Sequence, residues 1–364
     1  MCKLLCPFQK YYGSRLESSC DLQTSATSCS MPLRPLPKSV TDALSQVHPE
    51  VIKRFFGCGL PFPAKLEGCS VLDLGSGTGR DCFAFSKLIG PSGHVTGIDM
   101  TEELITTSRQ YVEYHQIKFG YEKPNVTFVQ GYIEKLTEAG IPRESMDVVI
   151  SNCVICLCPD KKSVLQQAYD VLKEGGELFF SDMYASCVIP DHMKQDPVLW
   201  GEGMSGCLCW KDLISMAHDV GFSSPLLFSA SHIEVHNSEL RAKAGDIGYA
   251  SGTYRLFKLP KLPVMPGATV TYKGTVAEFP EQLDFDSSHC FKVRRPVTAK
   301  GEAVEVDGEM AAILQNSRFC ADFQIQASDK QDSSSKPTQY CHLNPFLLAD
   351  KRGSSVKQCS KTGK

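Results

Sequence analysis

The chain has 364 residues, 42% of them hydrophobic and 22% charged, with a formal net charge of -3. That length predicts two or three domains, and the near-neutral charge gives no whole-chain reason to expect a nucleic acid or an anionic membrane as partner. No apolar run approaches the ~20 residues that cross a bilayer. The N-terminal apolar stretch is too short for a signal-peptide core, and the terminal QCSKTGK is no prenylation box, so a soluble cytoplasmic protein is expected, and a monomer is taken as its state. Cysteine is the outlier, with 17 residues. The number is odd and the spacing lacks the repeats of a secreted disulfide scaffold. In a reducing compartment most thiols pack as small apolar residues, which leaves a few for chemistry.

In chain order, residues 1–65 form an N-terminal segment with cysteine-bearing loops, polar and serine-rich and then proline-punctuated (MPLRPLPKSV). SVTDALSQVHPEVIKRFFG predicts one or two amphipathic helices, with Ser39 or Thr41 as N-cap. From residue 69 a strand–turn–helix pattern repeats. CSVLDLG predicts a buried strand, RDCFAFSKLIG a helix stopped by Gly90, and HVTGIDM a second strand. TEELITTSRQYVEYHQIKFG predicts a helix from Thr101 to Gly120. NVTFVQG, SMDVVISN and GELFFSDM predict further strands, with DKKSVLQQAYDVLKEGG as an amphipathic helix between the last two. This alternation predicts an α/β fold, a parallel sheet with helices on both faces, which binds its ligand at the carboxyl ends of the strands. It is assigned to residues 66–224. A small strand-rich C-terminal domain is assigned to 225–330 and a disordered tail to 331–364.

The strongest chemical signal is VLDLGSGTGRD. Gly75, Gly77 and Gly79 let the backbone turn sharply and a ligand approach closely. The spacing G-x-G-x-G is neither the pyrophosphate fingerprint nor a P-loop. The acidic LDLG before it suits a cationic amino-acid ligand. The second strand ends in Asp99, placed to accept hydrogen bonds from ribose hydroxyls. Together these resemble the first two motifs of the class I methyltransferases that use S-adenosylmethionine (SAM). The resemblance implies that Asp73 and Gly75 face the methionine end of SAM, that Asp99 and Met100 flank ribose and adenine, that Ile133 and Glu134 cap the adenine, and that Asn152 closes the site.

SNCVICLCPD places Cys153, Cys156 and Cys158 after the fourth strand, where this fold faces the transferable methyl. A base or polar clamp there would suit a protic acceptor; thiolates suit a soft, sulfur-binding electrophile. Cys29 lies in a polar turn. Cys58 lies between two glycines, a setting that predicts access rather than packing. Cys69 and Cys82, in the first strand and the helix after it, are expected in the core, and Cys290, Cys320, Cys341 and Cys359 serve as packing or tail thiols. Two other readings stay open. One is a SAM enzyme for a small organic acceptor. The other is a non-catalytic thiol protein that binds metal through CVICLC, although zinc would need more ligands than that run supplies.

YYGSRL, DLQT, RPLPKSV, FFGCGLP, VLDLGSGTGRDC, VTGIDMT, NVTFVQGYIEKL, SNCVI, VLKEGGELFFSDMY, VLWGE, YRLFK and AAILQNSRF together resemble arsenite methyltransferase nearly end to end. That family methylates trivalent arsenic in the cytosol with SAM. The resemblance implies arsenic-linked cysteines at Cys29, Cys58 and Cys153, and a Cys29–Cys58 thiol pair that reduces the methylated arsenic by closing a disulfide, which thioredoxin or glutathione resets. Arsenite or its glutathione conjugate would be the substrate. The chain departs from the family at Gly203, where the family has a fourth cysteine; Cys207 or Cys209 either replaces that thiol or serves as a packing residue. It departs again at Phe56, where the family often has tyrosine.

Overall fold

The computed structural model describes residues 36–261, 266–293, 302–327 and 340–351. Cys29 and Cys359 lie outside them.

Two short helices come first, α1 (Lys38–Ser45) and α2 (Pro49–Lys53). Neither expected N-cap serves: Pro37 precedes α1 with no side-chain cap, and Ser39 and Thr41 fall inside the helix. The proline ring, with φ -50°, already sets the chain for entry. The break before α2 comes from Pro49 at its start, where the ring of His48 accepts the amide of Glu50 at 3.2 Å.

The strand–helix repeat then runs β1 (Ser70–Leu74), α3 (Arg80–Ile89), β2 (His94–Asp99), α4 (Glu102–Gln110), α5 (Val112–Phe119), β3 (Val126–Gln130), β4 (Met146–Asn152), α6 (Lys161–Val171) and β5 (Leu172–Ala185). The single helix expected over 101–120 is two, jointed at Tyr111, and Gly120 ends the second in the left-handed region. After β5 come α7 (Pro197–Gly201), β6 (Leu208–Cys209), α8 (Trp210–Val220), β7 (Leu226–Ile233), α9 (Ser238–Ala244) and β8 (Tyr249–Phe257).

The main sheet has the order β3-β2-β1-β4-β5-β8-β7, with β6 pairing the far end of β5. The five strands β1 to β5 are mutually parallel, as expected. The sheet is nonetheless mixed, because β8 pairs antiparallel with β5, and β7 with β8. Residues 226–257, expected in the C-terminal domain, therefore complete the main sheet. The inner parallel strands β1, β2 and β4 are buried on both faces along nearly their whole length, which is why they read as near-continuous apolar runs, whereas the outer strands β3 and β7 keep exposed positions. Leu72, Leu74 and Val149 pack under α6 and α8, while Val71, Val148 and Ile150 pack with α1, α2 and α3 on the other face.

A second, smaller unit holds β9 (Ala268–Tyr272), the hairpin β10 (Gln282–Asp284) and β11 (Cys290–Lys292), β12 (Ala303–Val306), α10 (Gly308–Asn316) and β13 (Phe323–Ala327). It has its own aromatic core, including Phe285, Phe291 and Phe319. A buried ion triad joins it to the sheet: Glu177 of β5 accepts from Arg255 of β8 and from Arg318 after α10, both at 2.5 Å. Part of the expected disordered tail is ordered. Residues 340–351 form a 3-10 turn and a helix, Leu343 is buried, and its carbonyl accepts the hydroxyl of Tyr254 at 2.7 Å. Among the described residues no helix is long and apolar enough to cross a membrane.

Candidate active site

Strand order reverses direction between β1 and β4, and a crevice opens at the carboxyl ends of such neighbours. The ends of these two strands carry the glycine loop and the Asn152–Cys153 pair. Between them lies a cleft of about 1010 Å³, measured out to its open mouth.

On the β1 side, Gly75, Gly77 and Gly79 all have left-handed φ, at 69°, 55° and 91°. A Cβ on Gly75 would meet Val154 at 2.5 Å, whereas Gly77 faces open space. That bare backbone is a cradle a ligand can approach closely. The amide of Gly77 donates to Asp99 Oδ2 at 3.0 Å, and Thr101 N donates to Asp99 Oδ1 at 2.8 Å. The loop and the acid at the tip of β2 are thus one hydrogen-bonded unit.

Every residue expected to hold the cofactor lines this cleft: Asp73, Gly75, Gly77, Asp99, Met100, Ile133, Glu134 and Asn152, with the single exception of Gly79, which packs against Phe128 beneath. Phe56 lines it too. Sequence reasoning missed Asp81 and the Phe55–Arg80 pair. The Arg80 guanidinium sits 3.3 Å over the Phe55 ring and donates to Asp81 Oδ1 at 2.7 Å. Only the spacing of Asp81 from the glycines could have flagged it.

The electrostatics favour a cation. Burial pushes the Asp73 carboxyl well above its usual range, and the nearby Asp81 charge pushes it further. Burial also raises Asp99 and Glu134. Carboxylates that are costly to ionise alone are stabilised by a positive ligand beside them. Ser76 Oγ and Glu134 Oε1 are buried without a hydrogen-bond partner among the described residues, and each needs one. A ligand with an ammonium, a sulfonium, ribose hydroxyls and an adenine amine meets these demands, so the residues present fit SAM.

On the β4 side, Asn152 lines the cleft and its amide also forms a clamp. Oδ1 accepts Gly59 N at 3.1 Å, and Nδ2 donates to Gly59 O and to Asp81 Oδ2, both at 3.0 Å. The clamp fixes the 57–59 loop, and Ser251 Oγ adds a bond to the Cys58 carbonyl at 2.9 Å. A Cβ on Gly57 would meet Asn152 at 2.8 Å, and one on Gly59 would collide with Ser181. These close approaches explain the two glycines around Cys58.

Cys58 is bonded to Cys153, with Cα atoms 5.6 Å apart. The family-implied partner, Cys29, lies outside the described residues. Cys58 is 2% exposed, so the glycines serve close packing and not the access expected from them. Cys153 holds a left-handed φ of 61°, rare for a residue with a Cβ, and its amide donates to Ser181 O at 2.8 Å.

The three thiols of CVICLC point three ways. Cys153 lines the cleft and joins Cys58. Cys158 lines the cleft beside Glu134. Cys156 turns beneath, and its amide donates to Asp182 Oδ2 at 2.8 Å. Sγ of Cys153, Sγ of Cys156 and an Asp182 oxygen lie within 4.8 Å of one another. The two proposed replacements for the missing thiol part company. Cys207 joins an apolar cluster with Cys58, Cys156, Met183, Met193 and Met204, while Cys209 packs in the main core with Trp210 and Leu213. Cys82 is fully buried and donates to Asp73 Oδ2 at 3.1 Å. Cys69 is half-buried, Cys320 and Cys341 exposed.

The family profile described as methyltransferase domain matches residues 65–227, and that described as arsenite methyltransferase C-terminal domain matches 266–364. The chain is 48% identical over 347 residues to the arsenite methyltransferase of Mus musculus, covering 94% of this chain and 90% of that one. The arsenite methyltransferase of Homo sapiens is 46% identical over 356 residues, with 96% and 92% covered. A crystal structure of an arsenic (III) S-adenosylmethionine methyltransferase from Chlamydomonas reinhardtii superposes with a TM-score of 0.75 at 40% identity, covering 81% of this chain and 97% of that one. Sheet order, glycine loop and these matches make the fold that of the class I SAM methyltransferases. The chain belongs to the arsenite methyltransferase family.

Proposed function

We propose that this chain transfers the methyl group of SAM to trivalent arsenic held on its own thiols, yielding mono- and then dimethylated arsenicals for arsenic detoxification. One observation carries the proposal: Cys153, bonded to Cys58, stands at the tip of β4 and lines the same cleft as the Gly77–Asp99 cradle. Bound there, SAM supplies an electrophilic methyl on a sulfonium.

The residues of this chain do the rest by placement. Asp73, Asp99 and Glu134 complement the positive ligand, and the Asn152 clamp holds the Cys58 loop against Cys153, which lines the cleft. A reductant, thioredoxin or glutathione, first adds two electrons and two protons to the Cys58–Cys153 disulfide. Arsenic then arrives as a small-thiol conjugate. Each protein thiol passes its proton to the thiolate it displaces. The arsenic keeps a lone pair, and holding that pair in line with the methyl is most of the catalysis. No proton leaves arsenic in the transfer, so no base is required, and no histidine lines the cleft among the described residues.

The methylated product is formally pentavalent. Two thiolates return it to the trivalent state by giving up two electrons and closing a disulfide. Cys58–Cys153 is a pair already at closing distance. Thiols that must be reduced in every turnover suit a reducing cytosol. The test is turnover with arsenite, SAM, glutathione and a thioredoxin system, followed by separation of the arsenic species. Methylated arsenicals that vanish without SAM are expected. SAM binding with no arsenic methylated overturns the proposal.

A further inference from the structure

Gly203, where the family has a cysteine, lies just beyond α7 with φ 78°. A Cβ built there would stand 3.4 Å from Cys156 Sγ and 3.6 Å from Met183 Cε. A thiol on residue 156 therefore reaches the space that a thiol on residue 203 would fill. Independently, Cys156 Sγ and Cys153 Sγ lie within 4.8 Å of each other, and Cys153 is joined to Cys58. Three sulfurs thus converge from two chain segments. Apart from the Asp182 carboxyl, their surroundings are apolar and sulfur-rich: Met183, Met193 and Met204 pack in the same cluster. Soft ligands in a dry pocket select a soft centre. Cys207 shares the cluster, but its Sγ donates to Met204 O of its own loop at 3.1 Å.

We infer that Cys156 supplies the arsenic ligand that Gly203 lacks, binding trivalent arsenic together with Cys153 and Cys58 once their disulfide is reduced. The inference rests on the proposed function and names the ligand set of its site. Three arsenic–sulfur bonds to small thiols break and three to the protein form. The three thiol protons leave on the displaced thiolates, and arsenic stays trivalent. Cys153 presents the arsenic to the cleft, and Cys156 holds it from behind. Asp182, which accepts the amides of Cys156 and Met183 at 2.8 Å each, keeps the 153–156 turn in register with β5.

The test uses the full chain, reduced with a phosphine, and sodium arsenite without SAM. Equilibrium dialysis reads affinity, X-ray absorption at arsenic counts its sulfur neighbours, and SAM binding checks the fold. Removing one arm of a chelate costs about a hundredfold in affinity. Cys156→Ser is expected to lose that much and to drop from three sulfurs to two, with SAM binding intact. Cys207→Ser is expected to keep three sulfurs. Adding Gly203→Cys to Cys156→Ser is expected to restore the third. Three sulfurs in Cys156→Ser overturn the inference alone, as does a folded double variant that keeps only two. A wild-type chain that takes up no arsenite overturns the proposed function as well.

Discussion

Asn152→Ala removes the clamp that holds the Cys58 loop against Cys153. Two of its bonds, to Gly59 N and O, are buried and define that loop. At about 1 kcal/mol each, their loss frees the loop by ~2 kcal/mol. That corresponds to about a 30-fold fall in the effective concentration of one thiol at the other. For a two-electron couple the same energy is ~40 mV. Losing preorganisation disfavours the disulfide, so the potential should move in the oxidising direction. The assay equilibrates the reduced chain against glutathione buffers and reads the Cys58–Cys153 bond by thiol alkylation and mass spectrometry, with thermal melting as a check on the fold. A potential within about 10 mV of wild type in a folded variant would falsify the claim that Asn152 sets the thiol geometry.

Cys153→Ser should abolish arsenic methylation while titration calorimetry shows SAM still binding; normal turnover would remove Cys153 from the mechanism. Burial lifts the Asp182 carboxyl from 3.8 to about 6, so the folded chain holds a proton there that the unfolded chain has lost. Stability contributed by Asp182 is therefore present below pH 3.8 and declines as pH rises to about 6, by an amount on the order of 3 kcal/mol. Asp182→Asn should flatten that part of the curve of urea midpoint against pH, and an unchanged slope would assign the effect elsewhere. Burial alone would raise Glu177, but Arg255 and Arg318 hold it below the usual range. Glu177→Ala strands two buried guanidiniums and should cost about 3–5 kcal/mol in chemical denaturation; a loss under about 1 kcal/mol, typical of surface pairs, would show that the triad is dispensable.

The cofactor half of the site was legible because its requirements are local. A glycine spacing, an acid at the next strand tip and a buried run such as VLDL each follow from a few adjacent residues. The thiol half was legible only in part. Cys153 could be placed because the tip of β4 faces the methyl in any such sheet. The glycines flanking Cys58 pointed to exposure, but they lie where Asn152 and Ser181, distant in sequence, press on them. The nearness of Cys156 to Gly203 depends on the path of the chain after α7, which no periodicity encodes. The antiparallel edge was missed for a related reason. β8 is buried throughout although Ser251, Thr253 and Arg255 interrupt its apolar residues, so its pattern carries no sign of strand direction.

Among the described residues the smaller unit contributes no wall to the cleft, yet it grips the chain a few residues after Cys58. Arg318 donates to the carbonyls of Ala64 and Lys65 at 2.9–3.2 Å, and Lys65 pairs with Asp322 at 2.5 Å. These contacts moor the downstream end of the segment that carries Cys58, while Thr78 moors its upstream end through the Val51 carbonyl at 2.8 Å. The segment is strung like a cable between two piers, one in the methyl-donor sheet and one in the appendage. Cutting the second pier is expected to loosen the Cys58 segment while leaving the glycine-loop cleft intact.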